Sequence, residues 1–118
     1  MPYYLKVRER FDAAHHIPGY DGKCARLHGH TYGVECVLKY HHLDSLGMGA
    51  DFVDIKKALG QILETVDHRN LNEVLGENAT TAESVSKFVF SEMEKLGMPI
   101  YEVTVQEGQG GACTFRQQ

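Results

Sequence analysis

The sequence predicts one α+β domain over residues 1–118, of order ββααββ: an antiparallel four-stranded sheet with two helices packed on one face. Three observations carry this expectation. Two long stretches near the N-terminus alternate apolar and polar residues, and two central stretches repeat apolar residues at helical spacing. The C-terminal stretch returns to alternation.

The first strand runs from Tyr3 to about His15. Leu5, Val7, Phe11, Ala13 and His15 share one parity, and Lys6, Arg8, Arg10 and Asp12 share the other. Pro-Gly and Asp-Gly between Ile17 and Ala25 mark a loop. Leu27–Tyr40 reads as the second strand, with His28, His30, Tyr32, Val34, Cys36, Leu38 and Tyr40 on one face. His41–Gly49 is a polar, glycine-containing connection. Asp51 then caps a helix with Asp54 in its first turn, and Phe52, Ile55, Leu59, Ile62, Leu63 and Val66 form its apolar face. That helix stops near Val66 or Asp67. Asn70–Thr80 is loop-like. Thr80 and Glu83 make a capping box for the second helix, whose apolar face is Val85, Phe88, Val89, Met93 and Leu96, with Gly97 as its stop. Ile100–Glu107 alternates again, Glu107–Gly111 turns, and Ala112–Arg116 is the last strand.

Composition narrows the class of function. Of the 118 residues, 42% are hydrophobic and 24% charged, which excludes disorder and is enough to build a core. No apolar run approaches the roughly 20 residues of a membrane helix, and no signal-peptide core is evident, so no membrane association is expected. A net charge of −4 disfavours nucleic acid as a partner. Three cysteines without paired spacing point to a reducing, cytoplasmic setting. A short open sheet leaves its edges to be covered, and pairing with further copies of the chain is one way to cover them.

The chemistry concentrates in histidine. His28 and His30 stand two apart on a strand, so both imidazoles point to one face. His15 ends the preceding strand, and antiparallel pairing brings it beside them. Three imidazoles with no fourth protein ligand is the pattern of a catalytic zinc site with an open position. His16 is the rival to His15; strand parity selects His15, and a β-bulge would reverse the choice. Cys24 precedes His28 in the loop, where zinc, Lys23 and Arg26 would favour its thiolate. Cys36 and Cys113, at interior strand positions, read as buried small hydrophobes. Asp67 and His68 are adjacent and suit a proton relay; alone, such a pair is commonly a polar helix end. Glu107, before Gly-Gln-Gly-Gly, suits paired hydrogen bonds from a planar amidine-like edge, or serves as a plain turn residue.

These pieces together resemble one family. Phe11-Asp12-Ala13-Ala14-His15, Cys24-Ala25-Arg26-Leu27-His28-Gly29-His30, Asp51-Phe52, Asp67-His68 with Leu71-Asn72, and Glu107 after a β-run occur in its order. The resemblance is to the 6-pyruvoyl-tetrahydropterin and 6-carboxytetrahydropterin synthases, and it covers Phe11 to Phe115. It implies the tunnelling fold (T-fold), hexamers made of two trimers, and active sites at subunit interfaces. It implies Zn2+ held by His15, His28 and His30, and 7,8-dihydroneopterin triphosphate as substrate. It implies Cys24 as general base, Asp67 and His68 as its relay, and Glu107 as the pterin anchor.

The compact length resembles the bacterial 6-carboxytetrahydropterin synthases, which release acetaldehyde and triphosphate on the route to queuosine. The alternatives are a 6-pyruvoyl synthase and a non-catalytic pterin- or zinc-binding protein. A branch acting on dihydroneopterin carries glutamate where this chain has Cys24. Two departures stand out. Thr80 and Ser84 replace the proline and asparagine of the family's Pro-Thr-x-Glu-Asn run, and Gly108 follows Glu107 in place of threonine. The triphosphate needs local basic groups, for which Lys23, Arg26, Lys6, Arg8 and Arg10 are the candidates.

Overall fold

The computed structural model describes residues 1–118. The elements are β1 (Tyr3–His15), β2 (His28–Tyr40), α1 (Phe52–Glu64), β3 (Arg69–Asn70), α2 (Leu71–Val74), α3 (Ala82–Lys95), β4 (Ile100–Glu107) and β5 (Gly111–Arg116). A single 3-10 turn, Lys23–Ala25, interrupts the β1–β2 loop. No helix is long and apolar enough to cross a membrane.

The sheet has five strands in the order β3-β1-β2-β4-β5, where four were expected. The addition is β3, two residues running parallel to β1 opposite Ala13 and Ala14. The segment Asn70–Thr80, read from sequence as loop, also holds the four-residue helix α2, capped by the Asn70 side chain. Elements this short have no periodicity to reveal them.

The β1–β2 hairpin sets the frame. Its antiparallel register runs without a break from Tyr3 opposite Tyr40 to His15 opposite His28. Val7, Phe11 and Ala13 of β1 and Tyr32, Val34, Cys36 and Leu38 of β2 are buried on one face. Val103 and Val105 of β4 continue that layer. Helices α1 and α3 cover it with Ile55, Leu59, Ile62 and Leu63, and with Val85, Val89, Phe90 and Met93. Burial pushes the Cys36 thiol up to about 12, which suits its role as a small hydrophobe. The hairpin's length gives the molecule its elongated form, 53 × 25 × 25 Å.

Three helical details differ from expectation. Asp51 caps α1 by accepting from the Val53 N–H, but Phe52 is 54% exposed and lies outside the core. Thr81, not Thr80, caps α3, accepting from the Ser84 N–H. Phe90 is buried against Phe115 with ring centroids 5.1 Å apart, while Leu96 is exposed.

Asn72 secures the end of β1. Its Oδ1 accepts from the His16 N–H at 2.9 Å, and its Nδ2 donates to the carbonyls of His16 and Glu77, both at 2.9 Å. The residue is buried, so truncation strands several backbone groups. Asn72→Ala is expected to lower unfolding free energy by about 2 to 4 kcal/mol in urea denaturation. A loss within error of zero would mean that water replaces all three bonds.

Candidate active site

The continuous register settles the competition between His15 and His16. His15 is fully buried on the helix-facing side. His16 turns away, and its Nε2 meets the Glu77 carboxylate at 2.5 Å. One ring nitrogen from each of His15, His28 and His30 lies within 4.8 Å of the other two. The His15 and His28 rings are 4.6 Å apart between centroids, and His28 and His30 are 4.8 Å apart.

Two carbonyls orient this cluster. His15 Nδ1–H donates to the Thr80 carbonyl at 2.7 Å, and His28 Nδ1–H donates to the Arg26 carbonyl at 2.7 Å. A carbonyl only accepts, so Nδ1 carries the proton in both rings, and in the neutral form of each the lone pair lies on Nε2. Both Nε2 atoms are buried and have no hydrogen-bond partner. Burial holds the His15 imidazole below its ordinary pKa, which keeps the ring neutral. Neutral imidazoles with Nδ1 tied to carbonyls and Nε2 free are the donor set that a zinc ion takes.

Beneath the cluster, Tyr32 is fully buried, stacks on Phe11 at 4.7 Å and meets the edges of His15 and His30. Burial and the nearby Glu107 push its phenol pKa up.

Glu107 shares this face. It ends β4 opposite Tyr32, and its charge reaches both Tyr32 and His15. With His30, Glu83 and Cys113 it lines a cleft of about 420 Å³. Two of these residues correct the sequence reading. Glu83 is not a capping partner, because Thr81 caps α3; it lines the cleft instead. Cys113 is half-exposed at the cleft wall rather than buried. Two consecutive threonines before the helix left the capping register ambiguous, and that ambiguity hid Glu83.

Asp67 and His68 stand elsewhere. The His68 N–H donates to the Asp12 carbonyl at 2.5 Å, and the Asp12 N–H donates to Asp67 Oδ1 at 3.0 Å. The Thr31 hydroxyl donates to the Asp12 carboxylate at 2.5 Å. Asp12 and Thr31 alternate with Ala13 and His30, so their side chains lie on the opposite face of the sheet from the histidine cluster. His68 adopts φ 58, left-handed backbone that a non-glycine residue rarely takes, and this turn swings its ring beside Asp67. His68 Nδ1 lies 3.0 Å from Asp67 Oδ2. Hydrogen bonding to Asp67 raises the His68 pKa; the Asp12 N–H, then His68, lowers that of Asp67.

Cys24 belongs to neither group. It sits half-buried in the 3-10 turn, and its carbonyl accepts from the Ile17 N–H at 2.7 Å. The same turn leads to Arg26, whose carbonyl orients His28.

Residues 4–118 match the family described as 6-pyruvoyl tetrahydropterin synthase. A 6-carboxy-5,6,7,8-tetrahydropterin synthase from Synechocystis sp. is 34% identical over 111 residues, covering 89% of this chain and 86% of that protein. One from Haemophilus influenzae is 30% identical over 132 residues, covering 91% and 94%. The solved structure of Caenorhabditis elegans 6-pyruvoyl tetrahydropterin synthase superposes with a TM-score of 0.86 at 26% identity, covering 100% of this chain and 97% of that one. The α+β architecture is thus common ground with pterin synthases of the tunnelling fold. The chain belongs to the 6-pyruvoyl tetrahydropterin synthase family.

The Asp67–His68 pair gives a direct test. Both are ionised between the lowered Asp67 pKa and the raised His68 pKa. In Asp67→Asn, the His68 pKa is expected to fall back toward the ordinary histidine value in an NMR pH titration. An unshifted His68 would remove Asp67 as the cause.

Proposed function

We propose that this chain is a zinc-dependent 6-carboxytetrahydropterin synthase. It would convert 7,8-dihydroneopterin triphosphate and one water to 6-carboxy-5,6,7,8-tetrahydropterin, releasing acetaldehyde and triphosphate. The observation that carries this reading is the pair of buried, partnerless Nε2 atoms next to the cleft lined by His30 and Glu107. The same imidazoles suit other transition metals, but a three-nitrogen set with an open position favours zinc.

His15, His28 and His30 would hold the ion through their inward nitrogens. When bound, zinc supplies Lewis acidity toward the hydroxyls of the substrate side chain. Glu107, with Glu83 across the cleft, accepts hydrogen bonds from the amino-pyrimidine edge of the pterin. Cys24 takes a proton from the side chain as its thiolate. Asp67 fixes His68 through Nδ1, leaving His68 Nε2 to give or accept the proton that balances bond cleavage.

Within one chain the pair and the histidine cluster face opposite ways. The centre is therefore completed by a second copy, whose Asp67 and His68 reach the first copy's cleft. The sheet supports such an assembly. β5 is bonded on one side only, and β1 is paired with β3 only at Ala13 and Ala14. A homo-hexamer of two trimers is the assembly we propose.

The 6-pyruvoyl synthases are the second reading, favoured by the structural match to the C. elegans enzyme. Mass spectrometry of products from zinc-loaded protein and 7,8-dihydroneopterin triphosphate separates them. 6-Carboxytetrahydropterin with acetaldehyde is the expected result. 6-Pyruvoyl-tetrahydropterin alone would transfer the chain to the second reading, and unchanged substrate would leave a binding protein. Elemental analysis is expected to find one zinc per chain, lost in His30→Ala. Cys24→Ala is expected to lower kcat by about 100-fold or more at unchanged zinc content. Full activity in that variant would defeat the assignment of Cys24 as base.

A further inference from the structure

The proposed substrate is strongly anionic, while the chain carries a net charge of −4. Its polyphosphate tail therefore needs cationic side chains placed locally. Most of those suggested by the sequence are poorly placed. Arg8 is bound to the Glu35 carboxylate at 2.6 Å. Arg10 lines a groove with Arg8, Glu35 and Thr104. It sits opposite Gly33, roughly 17 Å along β1 from His15. Lys23 and Arg26 line neither the Glu107 cleft nor the trough beside His68.

Arg69 is placed differently. It directly follows His68, and β3 sets it opposite Ala13, two residues from His15. Its exposed side chain lines a trough of about 640 Å³ together with His68, Asp12, Thr31 and Asn70. Ala14 and Gly29, paired across β1 and β2, leave that trough's floor without bulky side chains. The two nearby carboxylates have other partners. Asp12 accepts from Thr31, and Asp67 accepts from the Asp12 N–H and lies against the His68 ring. Arg69 itself makes no salt bridge. A guanidinium with no carboxylate partner, beside the His68 imidazole and over a small-residue floor, suits a polyphosphate: its planar fork gives paired hydrogen bonds to phosphate oxygens.

We propose that Arg69 binds the polyphosphate chain of the substrate, holding it beside His68. This rests on the functional reading above, since it deepens the substrate recognition of that same site. His68 and Arg69 then act as one segment: one side chain handles the proton, and its neighbour anchors the tail.

The test compares two unreactive pterins, neopterin triphosphate and neopterin, by fluorescence titration of the zinc-loaded, assembled protein. Wild type is expected to bind the triphosphate more tightly. Arg69→Gln is expected to weaken the triphosphate about tenfold or more while leaving neopterin unchanged. Arg69→Lys is expected to recover part of the loss, and Arg10→Gln to lose nothing. Equal weakening of both ligands in Arg69→Gln would mark a structural effect and overturn the proposal. So would unaltered triphosphate affinity, or a loss in Arg10→Gln instead. Wild type that binds neopterin but gains nothing from the triphosphate would overturn the Arg69 assignment alone. Wild type that binds neither pterin would overturn the functional reading itself.

Discussion

The register between β1 and β2 is the constraint from which the rest follows. Thirteen residues of each strand pair without a bulge, so parity is preserved from one end of the hairpin to the other. His15, His28 and His30 therefore share the helix-facing side with Phe11 and Tyr32, while Asp12 and Thr31 share the other. A slip of one residue would send all of one strand's side chains to the wrong face and scatter the cluster. The Asp67–His68 pair depends on the same strand, because the Asp12 backbone holds both residues.

Polar atoms in the cluster are arranged so that one demand stays open. The Thr80 and Arg26 carbonyls satisfy Nδ1 of His15 and His28, leaving their buried Nε2 atoms without partners. A buried polar atom without a partner costs about 1 to 3 kcal/mol. His15 and His28 carry two such atoms within one cluster, and the zinc ion proposed above would satisfy both. The support extends outward, since Asn72 and the Thr80 hydroxyl both hold the His16 backbone at the end of β1.

Long elements with strong periodicity were legible in the sequence. Both hairpin strands, the Asp51 cap and the core of α1 lie where alternation and helical spacing put them. The choice of His15 over His16 was legible for the same reason, since parity is a backbone property. The placement of Asp67 and His68 across the sheet was not. It depends on a left-handed residue and a two-residue parallel strand, neither of which leaves a repeating pattern. Glu83 and Cys113 were misread because local rules, capping and strand parity, do not reveal which positions border a cleft. Phe52 was assigned to the core by spacing alone, yet it stands on the first turn of α1, beyond the cover of the sheet.

The contacts of His15 differ sharply in sequence range. All three imidazoles come from the single segment His15–His30, so a newly made hairpin already contains the full donor set. The carbonyl that fixes the His15 tautomer lies 65 residues further along the chain, just before α3. The donors are thus local, whereas the orientation of His15 is a property of the finished fold. Within the hairpin itself the Arg26 carbonyl orients His28, whereas nothing there fixes the His15 tautomer. A ligand bound at this cluster would meet the final orientation of His15 only once the segment before α3 has docked on β1.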